Sequence, residues 1–323
     1  MTEEIIASQI FQQYGLEFKT AVRAGGWTNA VWFNGDLVLR VSLVKDSVRI
    51  RHEIQLSQFL PAAVGYPVNV SYGVIDGFEW SISKRITGKN LSDSWPHLTW
   101  AERTICVKQI WDIIQAVHTA DIEKADKLSA RSPWYSTLTA DETLIRLKHY
   151  AENGIFNSDQ IAALSNIMQR FWNRFNKSAL VLNHGDITMD NILWNDGQIV
   201  SLMDFEHSVI APAEIDLNSF IRLAFFEDEE GKALLTENAD AEFQKYKYEI
   251  SKLICPSLNK PNCIDLLYGF DILFQMRFLD FWLENPEGSI SKSEAYVKLV
   301  SYTNKQDCYL SKVLNFATQV KVL

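Results

Sequence analysis

The 323-residue chain carries 31 lysines and arginines against 40 aspartates and glutamates, a formal charge of −9 with histidine neutral. No basic block stands out to meet phosphate backbones, which excludes an electrostatically driven nucleic-acid binder. Hydrophobic residues at 47% and charged residues at 22% fit an ordinary soluble globular protein, long enough for two lobes around one cleft.

The opening MTEEIIASQIFQQYG has early acids and an amphipathic pattern where a secretion signal would have a basic region and an apolar core, so a cytoplasmic protein is expected. A first helix is predicted over residues 3–13, with Ile5, Ile6, Ile10 and Phe11 on one face. Strand patterns follow at 18–22, 30–33 and 37–42, the last two joined by the turn Asn34-Gly35-Asp36. Between the first two lies Arg23-Ala24-Gly25-Gly26-Trp27-Thr28-Asn29. Its adjacent glycines permit close backbone approach, and exposed amides there could meet phosphate oxygens. A helix over about 46–59 and two strands, 68–75 and 78–86, flanking Asp76-Gly77 come next.

Beyond Gly88 the pattern turns helical. Residues 100–118 place Ile105, Ile110, Trp111, Ile114 and Val117 at helical spacing, 138–153 and 158–176 read as further helices, and long helices return from 215 onward. The apolar run 264–283 is broken by Asp265, Asp271, Arg277 and Asp280, which favours a buried amphipathic helix over a membrane span. Cys106, Cys255, Cys263 and Cys308 have no CxxC or metal-ligand spacing and are expected to be reduced, buried small hydrophobes.

The chemistry concentrates in VLNHGDITMDNILWNDGQIVSLMDFEHS, residues 181–208. Asp186 can orient a hydroxyl and accept its proton, and Asn191 and Asp204 can hold Mg²⁺ on the phosphates of a nucleotide. A short strand enters the loop, and strands at 192–194 and 198–203 form a hairpin around Asn195-Asp196-Gly197. The hairpin brings Asp204 back beside Asn191 although thirteen positions separate them.

His-x-Asp-x-x-x-x-Asn followed by Asp-Phe-x resembles the catalytic and metal loops of the protein-kinase superfamily. His184-Gly185-Asp186 with Asp204-Phe205-Glu206 is similar to the aminoglycoside phosphotransferase and choline kinase branch, whereas protein kinases usually carry His-Arg-Asp and Asp-Phe-Gly. The resemblance implies an α+β, protein-kinase-like two-lobe fold. A small, mainly antiparallel β lobe over residues 1–87 would bind nucleotide, and a large helical lobe over 88–323 would carry catalysis and acceptor binding. It implies Asp186 as catalytic base, Asn191 and Asp204 as magnesium ligands, and His184 as support for the loop backbone. Gly25, Gly26 and Thr28 fall where the family has its glycine-bearing loop. The family's strand lysine maps to Arg40 in LVLRVS, a departure that keeps the charge and adds a forked donor set. Glu53 is its expected partner. Residues 84–91 resemble the segment joining the lobes, with backbone groups near Arg85 and Ile86 expected at the purine edge. Asp216 in PAEIDL is expected to anchor a helix N-terminus and steady the catalytic loop.

Acceptor contacts are expected from the helical lobe, with Trp134 and Tyr135 near Asp141 and Glu142, with Asp190, and with Asp271 on the aromatic-rich stretch 269–284 that also carries Asp280 and Glu284. The expected activity is transfer of the γ-phosphoryl of ATP or GTP, with Mg²⁺, to a hydroxyl of a small amine-bearing acceptor such as an aminoglycoside-like antibiotic or an amino alcohol. Glu206 in place of glycine and the lack of an Ala-Pro-Glu segment count against an atypical protein kinase. Joint retention of Asp186, Asn191 and Asp204 counts against a nucleotide-binding pseudokinase. No nucleic-acid or membrane partner is expected.

Overall fold

The computed structural model describes residues 2–26, 28–126, 139–225, 241–284, 286, 288–304, 310, 311, 313 and 314. Helix α1 (Glu3–Gln13) turns Ile6, Ala7, Ile10 and Phe11 into an apolar cluster with one face of an antiparallel sheet. The sheet comprises β1 (Val22–Ala24), β2 (Asn29–Asn34) and β3 (Leu37–Ser42), then, after helix α2 (Arg49–Ser57), β4 (Asn69–Ile75) and β5 (Phe78–Lys84). The order is β1-β2-β3-β5-β4. Period-two alternation puts Trp32, Leu39, Val41 and Ile82 in the α1 cluster, each side chain contributing roughly 1.5–3 kcal/mol by burial. The opposite face carries Arg40 paired with Ser81, and Glu79 two positions before Ser81, towards α2.

Two local departures from the sequence pattern have clear causes. The strand expected over 18–22 begins only at Val22; Phe18–Thr20 makes a single 3₁₀ turn that sets Phe18 against Phe11 and Trp32, with ring centroids 6.4 and 6.1 Å away. Helix α2 begins only at Arg49, because Asp46 adopts φ 58° and donates its N–H to the Gly77 carbonyl at 2.7 Å.

Beyond the sheet come β6 (Lys89–Asn90), α3 (Leu91–Ser94), α4 (Trp100–Val117), α5 (Ile122–Asp126), α6 (Ala140–Glu152) and α7 (Ser158–Phe175). Full capping boxes, Thr99 with Glu102 and Asn157 with Gln160, start α4 and α7. Four short strands follow: β7 (Val181–Asn183), β8 (Ile192–Asn195), β9 (Gln198–Leu202) and β10 (Val209–Ala211). β8 lies between β6 and β9, and β7 pairs with β10. The remaining helices are α8 (Glu214–Phe225), α9 (Ala241–Leu258), α10 (Cys263–Glu284) and α11 (Glu294–Thr303). A second, larger core joins these helices and includes Ile192, Leu202 and Phe205, so the hairpin is fixed by burial as well as by its ladder. The architecture is therefore α+β, an antiparallel sheet followed by a helical region. Cys106 and Cys263 are buried thiols and Cys255 is half-buried; Cys308 lies outside the described residues. Among the described residues no helix is long and apolar enough to cross a membrane.

Candidate active site

Strand β7 delivers His184, Gly185 and Asp186 above the first turn of α8, where Asp216 is fully buried. The two oxygens of Asp216 accept the N–H groups of His184 and Gly185, both at 2.9 Å, and His118 Nε2 lies 3.0 Å from Oδ2. Gly185 has φ 84°, left-handed backbone that a side chain would strain. His184 uses both ring nitrogens: Nδ1 accepts the Asp186 N–H at 3.2 Å and Nε2 donates to the Met203 carbonyl at 2.7 Å. That pair of bonds selects the neutral tautomer protonated on Nε2. The hairpin extends one step past its strands, because Met203 N–H donates to the Asn191 carbonyl at 2.8 Å. Asn191 and Asp204 thereby come to one end of the loop. The Asn191 amide nitrogen donates to the Asp186 carbonyl at 2.9 Å and to its Oδ2 at 3.1 Å.

The opposite wall carries the cation. Arg40 Nη2 stands 2.8 Å from Glu53 Oε2, and Glu53 is 2% exposed. Its other oxygen accepts the Tyr66 hydroxyl at 2.7 Å and the Phe205 N–H at 3.1 Å. Burial works against the charge of Arg40, but Glu53, together with Tyr66 and Asp204, outweighs it and holds the guanidinium above its usual range. In the glycine loop, a Cβ on Gly26 would lie 2.2 Å from the Asn29 carbonyl oxygen, so the chain closes there only with glycine; Gly25 faces open space. Thr28 Oγ1 donates to Glu206 at 3.1 Å, linking this loop to the Asp-Phe-Glu segment. Glu206 also meets His207 Nε2 at 3.4 Å and Arg49 at 4.0 Å. Burial raises the Glu206 carboxyl, yet the bond from His207 and the charges of His207 and Arg49 leave it below its usual range.

Asp204 differs from every other acid in the cleft. Its backbone is left-handed at φ 63°, ψ 64°, and its Oδ1 is buried with no hydrogen-bond partner. Burial first, then the charges of Glu53 and Glu206, push its carboxyl up to about 8, and Arg40 offsets this only in part. An orphaned oxygen among acids fits a hard divalent cation, with the Asn191 amide as neighbouring donor. No group of three or more His, Cys, Asp or Glu among the described residues is arranged to hold a metal, so phosphate oxygens and water would have to complete such a shell.

The other expected contacts divide. The Arg85 N–H is already donated to the Asp36 carbonyl at 2.8 Å and its guanidinium lies over the Phe33 ring at 4.6 Å, so only its carbonyl and the backbone of half-buried Ile86 are left for a base. A cavity of about 370 Å³ lined by Gly35, Asp36, Arg85, Thr87 and Gly88 lies beside this segment. Asp190 is exposed, with its carboxylate bonded to the Ser92 hydroxyl and its carbonyl to Asn90 Nδ2 at 3.1 Å. Asp271 is a correction: it is 1% exposed in the helical core, one oxygen paired with Arg222 and the other bonded by the Tyr302 hydroxyl, and so does not present a carboxylate to an acceptor. Asp280 is held by the Tyr150 hydroxyl at 2.5 Å and by Arg146 at 3.2 Å. Trp134 and Tyr135 lie outside the described residues. Tyr66, His118 and Asn183 escaped the sequence reading; each meets its partner only through the fold, as Asn183 Oδ1 does in accepting the Asp216 N–H at 3.4 Å.

A family model described as the phosphotransferase enzyme family (APH) matches residues 19–249. Among solved structures, the GDP complex of wild-type aminoglycoside 2'-phosphotransferase-IIIa aligns over 99% of both chains at 15% identity with a TM-score of 0.61. The streptomycin–ATP ternary complex of APH(2")-IIa aligns over 95% of this chain and 97% of that one, at 14% identity and a TM-score of 0.60. A thermostable variant of APH(4)-Ia with AMP-PNP and hygromycin B aligns over 95% and 98%, at 12% identity and a TM-score of 0.63. No curated protein matches the chain by sequence. The structural likenesses establish the kinase-like fold, and the family match spans more than half the chain and contains Arg40, Glu53, Asp186, Asn191, Asp204 and Asp216. The chain thus belongs to the APH phosphotransferase enzyme family and is a phosphotransferase acting on hydroxyl groups.

Proposed function

We propose that this phosphotransferase moves the γ-phosphoryl of ATP or GTP to a hydroxyl of a small, amine-bearing acceptor, with Mg²⁺ as cofactor. The observation that carries the reading is the convergence of Asp186, Asn191 and Asp204, with Asn191 bonded to Asp186 at 2.9 and 3.1 Å and Asp204 Oδ1 left without a partner. Asp186 accepts the acceptor's hydroxyl proton as the new O–P bond forms and the bond to the β–γ bridging oxygen breaks, releasing a nucleoside diphosphate. The Asn191 amide occupies Asp186 Oδ2, which orients the carboxylate and leaves its second oxygen for the proton. Arg40, held by Glu53, binds phosphate oxygens. Asp204 and Asn191 hold Mg²⁺, which when bound neutralises the phosphate charge.

The amine rests on the acidic balance of −9 and on the ligands of proteins that share the fold, streptomycin and hygromycin B among them. An acceptor panel scored by ADP or GDP release tests both parts. Matched cationic, neutral and anionic alcohols, compared across a range of salt, should rank in that order, with the cationic advantage shrinking as salt rises. A clear preference for anionic alcohols would reject the amine, and absence of diphosphate release across every acceptor class would reject the reaction.

A further inference from the structure

Helix α2 carries Glu53 but does not cap itself. Val48 at its N-cap offers no side-chain acceptor, so the amides of the first turn need partners from elsewhere. Ser47 Oγ takes the Arg49 N–H at 3.3 Å, and the His52 N–H reaches the Val48 carbonyl at 3.1 Å. The two amides between them are met from another element. Glu79 of β5 accepts the Ile50 N–H at 3.0 Å, and the neighbouring Arg51 N–H also draws its carboxyl down. Glu79 is 2% exposed, a buried carboxylate at the positive end of a helix.

A serine or aspartate at position 48 would cap this helix at far less desolvation cost. A cap that comes from the sheet does something a local cap cannot, because it fixes the helix to the strand. Glu79 stands on the face of β5 that carries Ser81, whose register partner is Arg40. One turn along α2 from the capped amides, Glu53 meets Arg40, Tyr66 and the Phe205 N–H. The helix is thus held to β5 at its start and to β3 and the Asp-Phe-Glu segment at its second turn. Burial raises the Glu79 carboxyl above its usual range, while the two amides and the charge of Arg51 draw it back, as a carboxylate kept for its hydrogen bonds would show.

We propose that Glu79 is a positioning residue: by capping α2 from the sheet it sets where Glu53 stands, and through Glu53 the place of the Arg40 guanidinium and the Phe205 backbone. Its consequence for nucleotide rests on the kinase reading above; its consequence for Glu53 does not. The test uses the full chain, with Glu79→Ala and Glu79→Gln alone and in a Glu53→Gln background. Peptide-resolved amide exchange and Mg–ADP titration are the two readouts. Glu79→Ala should speed exchange at Ile50 and Arg51, and also at Phe205, which lies 126 positions away and donates its N–H to Glu53. The Gly185 amide, held by Asp216, should keep its protection. Mg–ADP affinity should fall about 3- to 30-fold, the size of a lost helix cap. Glu79→Gln should recover most of both effects, and in the Glu53→Gln background Glu79→Ala should weaken binding little further. An unchanged Phe205 amide, or an equal affinity loss in both backgrounds, would overturn the proposal. Failure of the wild-type chain to bind Mg–ADP would reject the kinase reading instead, and the Phe205 amide would then decide the proposal alone.

Discussion

Around Asp216, two amides and an imidazole converge on one buried carboxylate, and both its oxygens are engaged at 2.9–3.0 Å. Around Asp204 the balance runs the other way. Burial first, then Glu53, Glu206 and Asp186 raise its carboxyl, Arg40 offsets them only in part, and Oδ1 has no partner. The first region is complete without a ligand, because each desolvated charge is repaid by donors. The second is short of positive charge, and the proposed Mg²⁺ would supply what the fold leaves out. The comparison separates a scaffold from a binding surface, and the two should respond in opposite ways to removal of a carboxylate.

The largest effect is expected where the two regions meet. Asp186→Ala should cut turnover by roughly 10²–10⁴ while nucleotide affinity survives, since the base acts on the acceptor and not on the ground-state nucleotide. Steady-state rates with a parallel nucleotide titration decide this, and turnover above about a tenth of the wild-type rate would remove Asp186 from the role.

Next is the scaffold. Asp216→Ala strands the His184 and Gly185 amides and His118, and should cost about 3–5 kcal/mol of stability in denaturant unfolding. A loss under about 1 kcal/mol would mean that the loop is held by something else. By contrast, Asp204→Asn should raise the stability of the ligand-free chain by about 1–2 kcal/mol, because below about pH 8 it removes the cost of protonating a buried carboxyl among acids, and asparagine tolerates φ 63°. The same substitution should raise the Mg²⁺ requirement of turnover more than Asn191→Ala does, a carboxylate giving charge to the ion where an amide gives a dipole. Equal requirements in the two variants would contradict the assignment.

What the sequence made legible follows the reach of each contact along the chain. The hairpin that joins Asn191 to Asp204 is local, and its turn residues and alternation announce it. The Arg40–Glu53 pair was readable as a cation on a strand and an acid on the following helix, but not the company it keeps. Tyr66 and the Phe205 amide reach Glu53, and Thr28 reaches Glu206 across 178 positions, through the fold alone. Periodicity placed Asp271 on a long helix without showing which face was buried. Its partners Arg222 and Tyr302 sit on other helices, so a side chain that reads as a free acid is a core residue. The sheet pairing of β6 with β8 was invisible for the same reason, since two residues carry no pattern.

A pH dependence follows as well, and its sign is set by Asp204. An unfolded aspartate titrates near about 3.9, whereas this carboxyl is pushed up to about 8 in the ligand-free fold. Between those values the folded chain holds a proton that the unfolded chain has lost, so ligand-free stability falls as pH rises through the window. A cation must displace that proton, so Mg–nucleotide affinity should rise as pH approaches about 8 and level off above it. Asp204→Asn should lack this component, and an identical profile in the variant would place the titration elsewhere.

The most direct measurement is the thermal midpoint of the wild-type chain and of Asp204→Asn, each with and without saturating Mg–ADP. The wild type should be the less stable of the two alone and should gain several degrees with ligand, while the variant starts higher and gains little. A wild type that is the more stable without ligand, or a variant that gains as much from Mg–ADP, would contradict the view that the Asp204 side of the cleft is completed by the metal–nucleotide it binds.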